Sequence, residues 1–152
     1  MSAGQPLVLC VEDDLRTLDI LIKVLGRLPV RQAAAREART AIELAGRLQP
    51  ELLILDLMLP GLTGWQVLEA IRQGPHHPGM RVLVLSAKDS SAERLLATNV
   101  ARVEAFMSKP FDIAELARRI LKLLELPVDA DWPGLDPAAG DRPAASDRPA
   151  AA

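Results

Sequence analysis

The chain has 152 residues, which is enough for one ordinary domain and a tail. Apolar residues make up 49% of it, which excludes wholesale disorder, and the net charge of −2 argues against nucleic acid as the main partner. The single cysteine excludes an intramolecular disulfide, and no apolar run has the length of a membrane span or the pattern of a signal segment. We therefore expect a cytoplasmic protein without a membrane partner.

Five apolar, strand-like segments alternate with amphipathic helical patterns along the chain. The predicted strands cover residues 7–11, 30–34, 52–56, 81–86 and 103–108. On the first helix the apolar face comprises Leu15, Leu18, Ile22 and Leu25, with Leu21, Val24 and Leu28 beside it. Nearly continuous apolar strands separated by such helices indicate a parallel sheet covered on both faces. We therefore predict an α/β fold with a doubly wound, five-stranded parallel sheet.

Helix starts are marked by residues whose side chains accept main-chain hydrogen bonds. Such residues precede the first, third, fourth and fifth predicted helices, at Asp14, Thr63, Ser90 and Asp112. The last three are each followed, three residues on, by a glutamate or glutamine, which is the spacing of a capping box.

The composition changes at Pro127, after which Pro, Ala, Asp and Arg dominate. Such a segment lacks the apolar residues that a packed core requires. We predict one folded domain over residues 1–126 and a disordered tail or linker over residues 127–152, with Trp132 as the only aromatic residue of the tail.

Polar side chains stand at the carboxyl ends of four predicted strands. Glu12 and Asp13 follow the first, Asp56 ends the third, Ser86 ends the fourth and Lys109 follows the fifth. The carboxyl ends of parallel strands meet at one edge of a sheet, so we expect these groups to converge. Clustered carboxylates repel one another, and Lys109 supplies only one positive charge. Donors that are all oxygen favour Mg²⁺, with Mn²⁺ tolerated.

A metal, an ammonium group and a hydroxyl around one carboxylate indicate phosphoryl transfer. Asp56 is the expected nucleophile and forms an acyl phosphate. Lys109 then neutralises charge on the transferred oxygens, and Ser86 donates a hydrogen bond to one of them. No nucleotide-binding loop is visible, so we expect the phosphoryl group to come from another protein or a small phosphodonor.

Each of these residues also has an ordinary structural explanation. The pair Glu12 and Asp13 is typical of a helix-cap cluster, Lys109 of a surface lysine, and Ser86 of a hydroxyl at a strand end. Cys10 is best explained as a small core residue. The joint placement of the polar groups at four strand ends favours the functional explanation.

With these residues placed, the chain resembles the receiver domain of two-component response regulators over about residues 6–126. The resemblance depends on the acidic pair Glu12-Asp13, on Asp56, Leu59, Pro60 and Gly64 in the pattern Asp-x-x-Leu/Met-Pro-x-x-x-Gly, on Ser86, and on Lys109-Pro110 followed by Phe111. It implies a flavodoxin-like strand order of 2-1-3-4-5 and a cis Lys109-Pro110 peptide.

The resemblance also implies a phosphorelay function and a set of ligands. Asp56 receives the phosphoryl group from a histidine kinase or a histidine phosphotransfer protein, and the chain has no enzyme activity beyond this self-phosphorylation and autodephosphorylation. The metal is held by Asp13, Asp56 and the main-chain carbonyl of Met58, with Glu12 acting through water. Because we see no effector segment after residue 126, we expect a stand-alone receiver that acts on a downstream protein.

A switch is implied as well. Phosphorylation pulls Ser86 inward, and Phe106 rotates into the space that it leaves. The surface formed by the fourth predicted helix, the fifth strand and the fifth helix then reports the state to a partner or to a second copy in a homodimer. Arg102 stands where the family usually has glycine, which is a departure from the family pattern just before the fifth strand.

Two alternatives remain open. A pseudo-receiver would have the same fold and bind partners without phosphorylation. A phosphatase of the haloacid dehalogenase type also uses an aspartate nucleophile on a parallel sheet, but it requires an Asp-x-Asp motif, and here Asp56 is followed by Leu57 and Met58.

Overall fold

The structure is a computed structural model, and it describes residues 4–87 and 101–128. Its elements are β1 (Leu7–Val11), α1 (Leu15–Leu25), β2 (Arg31–Ala35), α2 (Ala38–Leu48), β3 (Leu52–Asp56), α3 (Gly64–Gln73), β4 (Arg81–Ser86), β5 (Ala105–Ser108) and a C-terminal helix (Ile113–Leu123). The fourth predicted helix with its start at Ser90, and nearly all of the predicted tail with Trp132, lie outside the described residues.

The strands form one parallel sheet in the order β2-β1-β3-β4-β5, which confirms the predicted fold. Every residue of β1 and β3 is buried, as expected for strands with helices on both sides. None of the described helices is long and apolar enough to cross a membrane.

Side chains from the sheet divide between two apolar cores. Leu53 and Leu55 of β3 belong to a first core, which α2 and α3 cover, whereas Leu52 and Ile54 belong to a second core, which α1 and the C-terminal helix cover. This division follows from the alternation of side chains along a strand. The sheet therefore separates the two cores.

The predicted apolar face of α1 is partly wrong. Leu15 is 60% exposed and Ile22 38% exposed, although both belong to the predicted apolar face. The buried residues of α1 are Leu18, Leu21, Val24 and Leu25. Leu15 occupies the first turn, directly after the strand end that carries the acidic residues, so it lies at the edge of the helix–sheet contact.

The predicted helix caps are confirmed where the structure describes them. The Asp14 carboxylate accepts a hydrogen bond from the Thr17 main chain at 3.0 Å. Thr63 and Gln66 form both hydrogen bonds of a capping box. Asp112 accepts hydrogen bonds from two main-chain N–H groups of the C-terminal helix.

The end of the C-terminal helix is fixed to the start of β4. Glu125 has a left-handed φ of 56°, and the Leu126 N–H donates to the Leu121 carbonyl at 2.8 Å, which is the pattern of a Schellman cap. The guanidinium group of Arg81 donates to the Leu123 carbonyl and lies 3.6 Å from the Glu125 carboxylate. The chain therefore leaves this helix beside the amino end of the sheet.

Cys10 lies in β1 and is 1% exposed. Burial, together with the nearby Glu12 charge, raises the pKa of its thiol to about 12. Because the thiolate is the reactive form, we expect no reaction with a thiol reagent in the native protein at about pH 8 and full reaction in denaturant. Rapid modification of the native protein, measured by absorbance, would contradict the buried placement.

Arg102 adopts a left-handed φ of 53°, and β5 begins at Ala105 rather than at the predicted residue 103. A side chain disfavours this conformation by roughly 1–2 kcal/mol, and glycine does not. We expect Arg102→Gly to raise the free energy of unfolding by about 1 kcal/mol in chemical denaturation.

Arg36 is the matched control, because it is exposed and lacks a positive φ. Arg36→Gly should lower the free energy of unfolding by roughly 0.5 kcal/mol, since glycine there only adds freedom to the unfolded chain. Equal losses from the two substitutions would show that the backbone at Arg102 is not strained.

Candidate functional site

The structure brings the predicted polar residues together at the carboxyl edge of the sheet. Asp56 is the last residue of β3 and Ser86 the last of β4, whereas Glu12 and Lys109 directly follow β1 and β5. Glu12, Asp56 and Ser86 are 0%, 3% and 1% exposed, respectively. Three buried polar residues in an otherwise apolar interior mark this edge as a site, because burial of such groups is costly without partners.

The three acidic residues lie close enough to share one ion. One carboxylate oxygen from each of Glu12, Asp13 and Asp56 lies within 4.8 Å of the others. Asp13 is partly exposed, so the cluster opens to solvent on its side. A donor set composed only of carboxylate oxygens fits a hard divalent cation such as Mg²⁺.

Lys109 connects two of the carboxylates. Its Nζ lies 2.5 Å from Oε1 of Glu12 and 3.3 Å from Oδ2 of Asp56. Burial lowers the pKa of Lys109, but the hydrogen bonds and charges of the two carboxylates outweigh it, and the net shift is upward. The ammonium group therefore remains charged and offsets part of the negative charge. The Lys109-Pro110 peptide is cis, as the resemblance implies.

Glu12 is the residue of the cluster whose pKa is raised most clearly. Burial raises the pKa of its carboxyl group, and the neighbouring Asp56 raises it further, whereas Lys109 and the Asp14 N–H lower it. The result is a pKa of about 7. Near neutral pH the cluster is therefore balanced between holding a proton and holding an additional cation.

This raised pKa predicts a pH-dependent stability for the metal-free protein. The folded-state pKa of Glu12 lies above the unfolded value, so the native state retains the proton over a wider range than the unfolded chain does. This retained proton contributes fully to the free energy of unfolding below about pH 4.5. The contribution, at most about 3 kcal/mol, is lost as the pH rises to about 7.

We expect Glu12→Gln to remove this pH-dependent loss, measured by denaturation with a chelator present. The exposed Glu43 of α2 provides the control, and Glu43→Gln should follow the wild-type profile. A wild-type profile that coincides with that of Glu12→Gln would contradict the raised pKa.

Main-chain contacts fix the loop that follows Asp56. The Met58 N–H donates to Oδ1 of Asp56 at 3.0 Å, and the Gly64 N–H donates to the Leu57 carbonyl at 3.0 Å. A Cβ atom on Gly64 would lie 2.6 Å from the main-chain oxygen of Asp56, so only glycine fits. The start of α3 thus packs directly on the backbone of Asp56.

Ser86 lies on β4, the strand next to Asp56, and Phe106 lies on β5, the strand beyond it. The main-chain carbonyl of Ser86 accepts a hydrogen bond from the Lys109 N–H at 2.8 Å, which ties the end of β4 to the lysine. Phe106 is 8% exposed and packs in the first core. The Phe106 ring is therefore largely buried.

A model of the response regulator receiver domain matches residues 8–121 of the chain. The chain belongs to this family. This agrees with the site described above, in which the acidic pair Glu12-Asp13, Asp56, Ser86 and Lys109 stand at the carboxyl edge of the sheet. The receiver fold and family predicted from the sequence are therefore confirmed.

Named relatives of this receiver include two bacterial regulators. It is 34% identical over 118 residues to the response regulator MprA of Mycobacterium leprae and 33% identical over 117 residues to the transcriptional regulatory protein PcoR of Escherichia coli. Each match covers 77% of this chain and 50% of the relative. The chain thus spans about half the length of these relatives, and their regulatory activity belongs to the longer proteins.

Solved receiver domains share the fold. The receiver domain of the sensor histidine kinase PA1611 from Pseudomonas aeruginosa aligns with a TM-score of 0.71 at 23% identity, covering 80% of this chain and 99% of that one. That structure contains a magnesium ion coordinated in its active site cleft. At this identity the likeness supports the fold, and the ligand belongs to that protein.

Two side-chain contacts at the opposite, amino edge of the sheet were not identified from the sequence. Arg72 of α3 donates to main-chain carbonyls before β5, and the Glu104 carboxylate accepts the Val82 N–H at 2.7 Å. Both contacts join residues that are more than 20 positions apart, and neither side chain stands at the carboxyl end of a strand. No pattern in the sequence marks them.

Proposed function

We propose that this receiver accepts a phosphoryl group on Asp56 and so changes its affinity for a partner. The observation that carries the proposal is the position of Asp56, which is buried beside two other carboxylates and within 3.3 Å of the Lys109 ammonium group. A structural ion pair needs only one carboxylate for that lysine. The surplus of negative charge is what a cation-dependent phosphoryl site requires.

In the proposed reaction an oxygen of Asp56 attacks the phosphorus atom of the donor. The bond between phosphorus and the donor's leaving atom breaks, the electron pair leaves with the donor, and Asp56 becomes an acyl phosphate. Lys109 neutralises charge on the transferred oxygens, and the Ser86 hydroxyl donates to one of them. No general base is needed, because a carboxylate nucleophile has no proton to lose on attack.

Asp13, Asp56 and the main-chain carbonyl of Met58 are proposed to hold Mg²⁺, with Glu12 acting through water. Mn²⁺ fits the same oxygen donors. When bound, the ion supplies positive charge to the transferred oxygens. The magnesium ion in the cleft of the related kinase receiver domain supports this proposal. The ion also explains how so many acidic groups are tolerated at one buried edge.

The proposed donor is a histidine kinase or a histidine phosphotransfer protein. Exposed apolar side chains flank the site, since Leu15, Met58 and Leu62 are 60%, 54% and 40% exposed. Apolar contacts beside an acidic cleft suit a protein donor better than a small one. Small phosphodonors remain suitable for measurement.

The proposed output is a shift of Ser86 towards the phosphoryl group, which stabilises the buried position of Phe106. The surface of β5 and the C-terminal helix, together with the fourth predicted helix outside the described residues, then binds a downstream protein or a second copy. Action as a stand-alone domain of residues 1–126, with a tail from residue 127, remains a prediction.

Incubation with acetyl phosphate and Mg²⁺, followed by mass spectrometry of the intact protein, tests the proposal. We expect stoichiometric labelling that is stable in acid, labile in base and lost when a chelator is added. Absence of labelling from acetyl phosphate and from cognate kinases would favour the pseudo-receiver. Catalytic hydrolysis of a phosphate ester would instead support the phosphatase alternative.

A further inference from the structure

Arg72 makes a two-point contact with the main chain that precedes β5. It lies in the last turn of α3, and its guanidinium group donates from Nη1 to the Ala101 carbonyl and from Nη2 to the Arg102 carbonyl, the latter at 3.1 Å. The planar guanidinium fork sets both the position and the direction of its acceptors. Two consecutive carbonyl groups are therefore fixed to α3.

The contacted segment needs external support. Arg102 is in the left-handed conformation, which is unfavourable for any residue with a side chain. Its neighbours Ala101 and Val103 both pack against the first core, which α3 helps to form. Arg72 thus adds polar contacts to an apolar anchor on the same side of the sheet.

Glu104 holds the same segment from the side of β4. Its carboxylate accepts the Val82 N–H at 2.7 Å, and its own N–H donates to the Val82 carbonyl at 3.0 Å. These contacts connect the segment to β4 before regular pairing with β5 begins at Ala105. Residues 101–104 are therefore held in place by hydrogen bonds to both α3 and β4.

The start of β5 determines where two site residues stand. β5 pairs only with β4 among the described strands and has four residues, so contacts at its start help to set its register. Phe106 is its second residue, and Lys109 follows its last. A slip or tilt at the start of β5 would move the ammonium group relative to Glu12 and Asp56.

We propose that Arg72 is a positioning residue, which fixes the start of β5 and thereby aligns Lys109 and Phe106 with the carboxylate cluster. The effect on phosphorylation depends on the proposed function, whereas the effect on β5 does not. Arg72 touches none of the reacting atoms in this proposal. Its contribution passes through residues 101–104.

Native-state hydrogen exchange of Arg72→Gln and Arg72→Lys tests this role. Glutamine removes the charge and the fork, whereas lysine keeps one charged donor. We expect exchange at the Val82 and Glu104 amides to accelerate by about tenfold in Arg72→Gln and by less in Arg72→Lys. Arg47→Gln, in the exposed last turn of α2, is the matched control and should leave both rates unchanged.

Acetyl phosphate labelling supplies the functional comparison. The labelling rate is expected to fall several-fold in Arg72→Gln, to recover partly in Arg72→Lys and to remain at the wild-type value in Arg47→Gln. Uniform acceleration of exchange across β1 and β3, or unchanged exchange at Val82 and Glu104, would overturn the positioning role. A wild-type protein that takes no label would refute the proposed function while the exchange rates still decide the role of Arg72.

Discussion

Asp56→Asn is expected to abolish labelling by acetyl phosphate and Mg²⁺ while the protein remains folded. Asparagine has the shape of aspartate but is not a nucleophile for phosphorus, and its Oδ1 can still accept the hydrogen bond that Met58 N–H now donates. Intact-mass spectrometry measures the label, and circular dichroism measures the fold. Complete loss of label with unchanged secondary structure is the expected result.

A matched control for this substitution is Asp19→Asn. Asp19 lies on the exposed side of α1, pairs with Lys23 at 2.9 Å and is not part of the carboxylate cluster. Its substitution should leave the labelling stoichiometry unchanged. Persistent labelling of Asp56→Asn would place the phosphoacceptor elsewhere and refute the proposed reaction.

The same aspartate substitution has an expected effect on the metal-free protein. The Asp56 side chain raises the pKa of Glu12 through its hydrogen bond and its charge. Its removal lowers that pKa, so Glu12 ionises at less cost and Lys109 keeps one carboxylate partner. We therefore expect Asp56→Asn to unfold at a higher denaturant concentration than the wild type at about pH 8 in the presence of a chelator.

Gly64→Ala is expected to lower the free energy of unfolding by about 3 kcal/mol and to slow labelling. The added Cβ would lie 2.6 Å from the main-chain oxygen of Asp56 and 2.7 Å from Cα of Leu57. Both atoms belong to backbone that the sheet fixes, so the start of α3 has to move away. That movement would also displace Asp56 itself.

Gly46→Ala, also at a helical glycine, is the control substitution and is expected to raise the free energy of unfolding. Gly46 lies inside α2, and a Cβ there would come no closer than 3.6 Å to the Pro75 carbonyl, which is ordinary contact. Alanine should stabilise this helix by roughly 0.5–1 kcal/mol. Equal effects of the two substitutions on chemical denaturation would show that α3 does not pack tightly on Asp56.

The sheet and its polar edge could be predicted from the sequence because both depend on local signals. Continuous apolar runs identified the strands, and the residue at the end of each run was then fixed by chain direction. The same argument brought Glu12, Asp56 and Lys109 together although they are far apart in the chain. The roles proposed for these residues stay predictions until labelling is measured.

Contacts that depend on packing could not be predicted in this way. The burial of Leu21 rather than Ile22 on α1 depends on how the helix rotates against the sheet, which the 3.6-residue period defines only to within one neighbour. The late start of β5 and the contact of Arg72 with Arg102 depend on a left-handed backbone at a residue type that rarely adopts it. The pKa of Glu12 likewise depends on burial and on the identity of its neighbours.

The link between Arg81 and the C-terminal helix fixes where the described part of the chain ends. Arg81 begins β4 and Asp56 ends β3, so the polypeptide departs near the pole of the molecule opposite to the proposed phosphorylation pocket. With about 3.3 Å per residue, the two poles are separated by roughly 17 Å of sheet. The described part of the chain therefore ends on the side away from the pocket, and a change on phosphorylation has to pass through the body of the domain to reach that end.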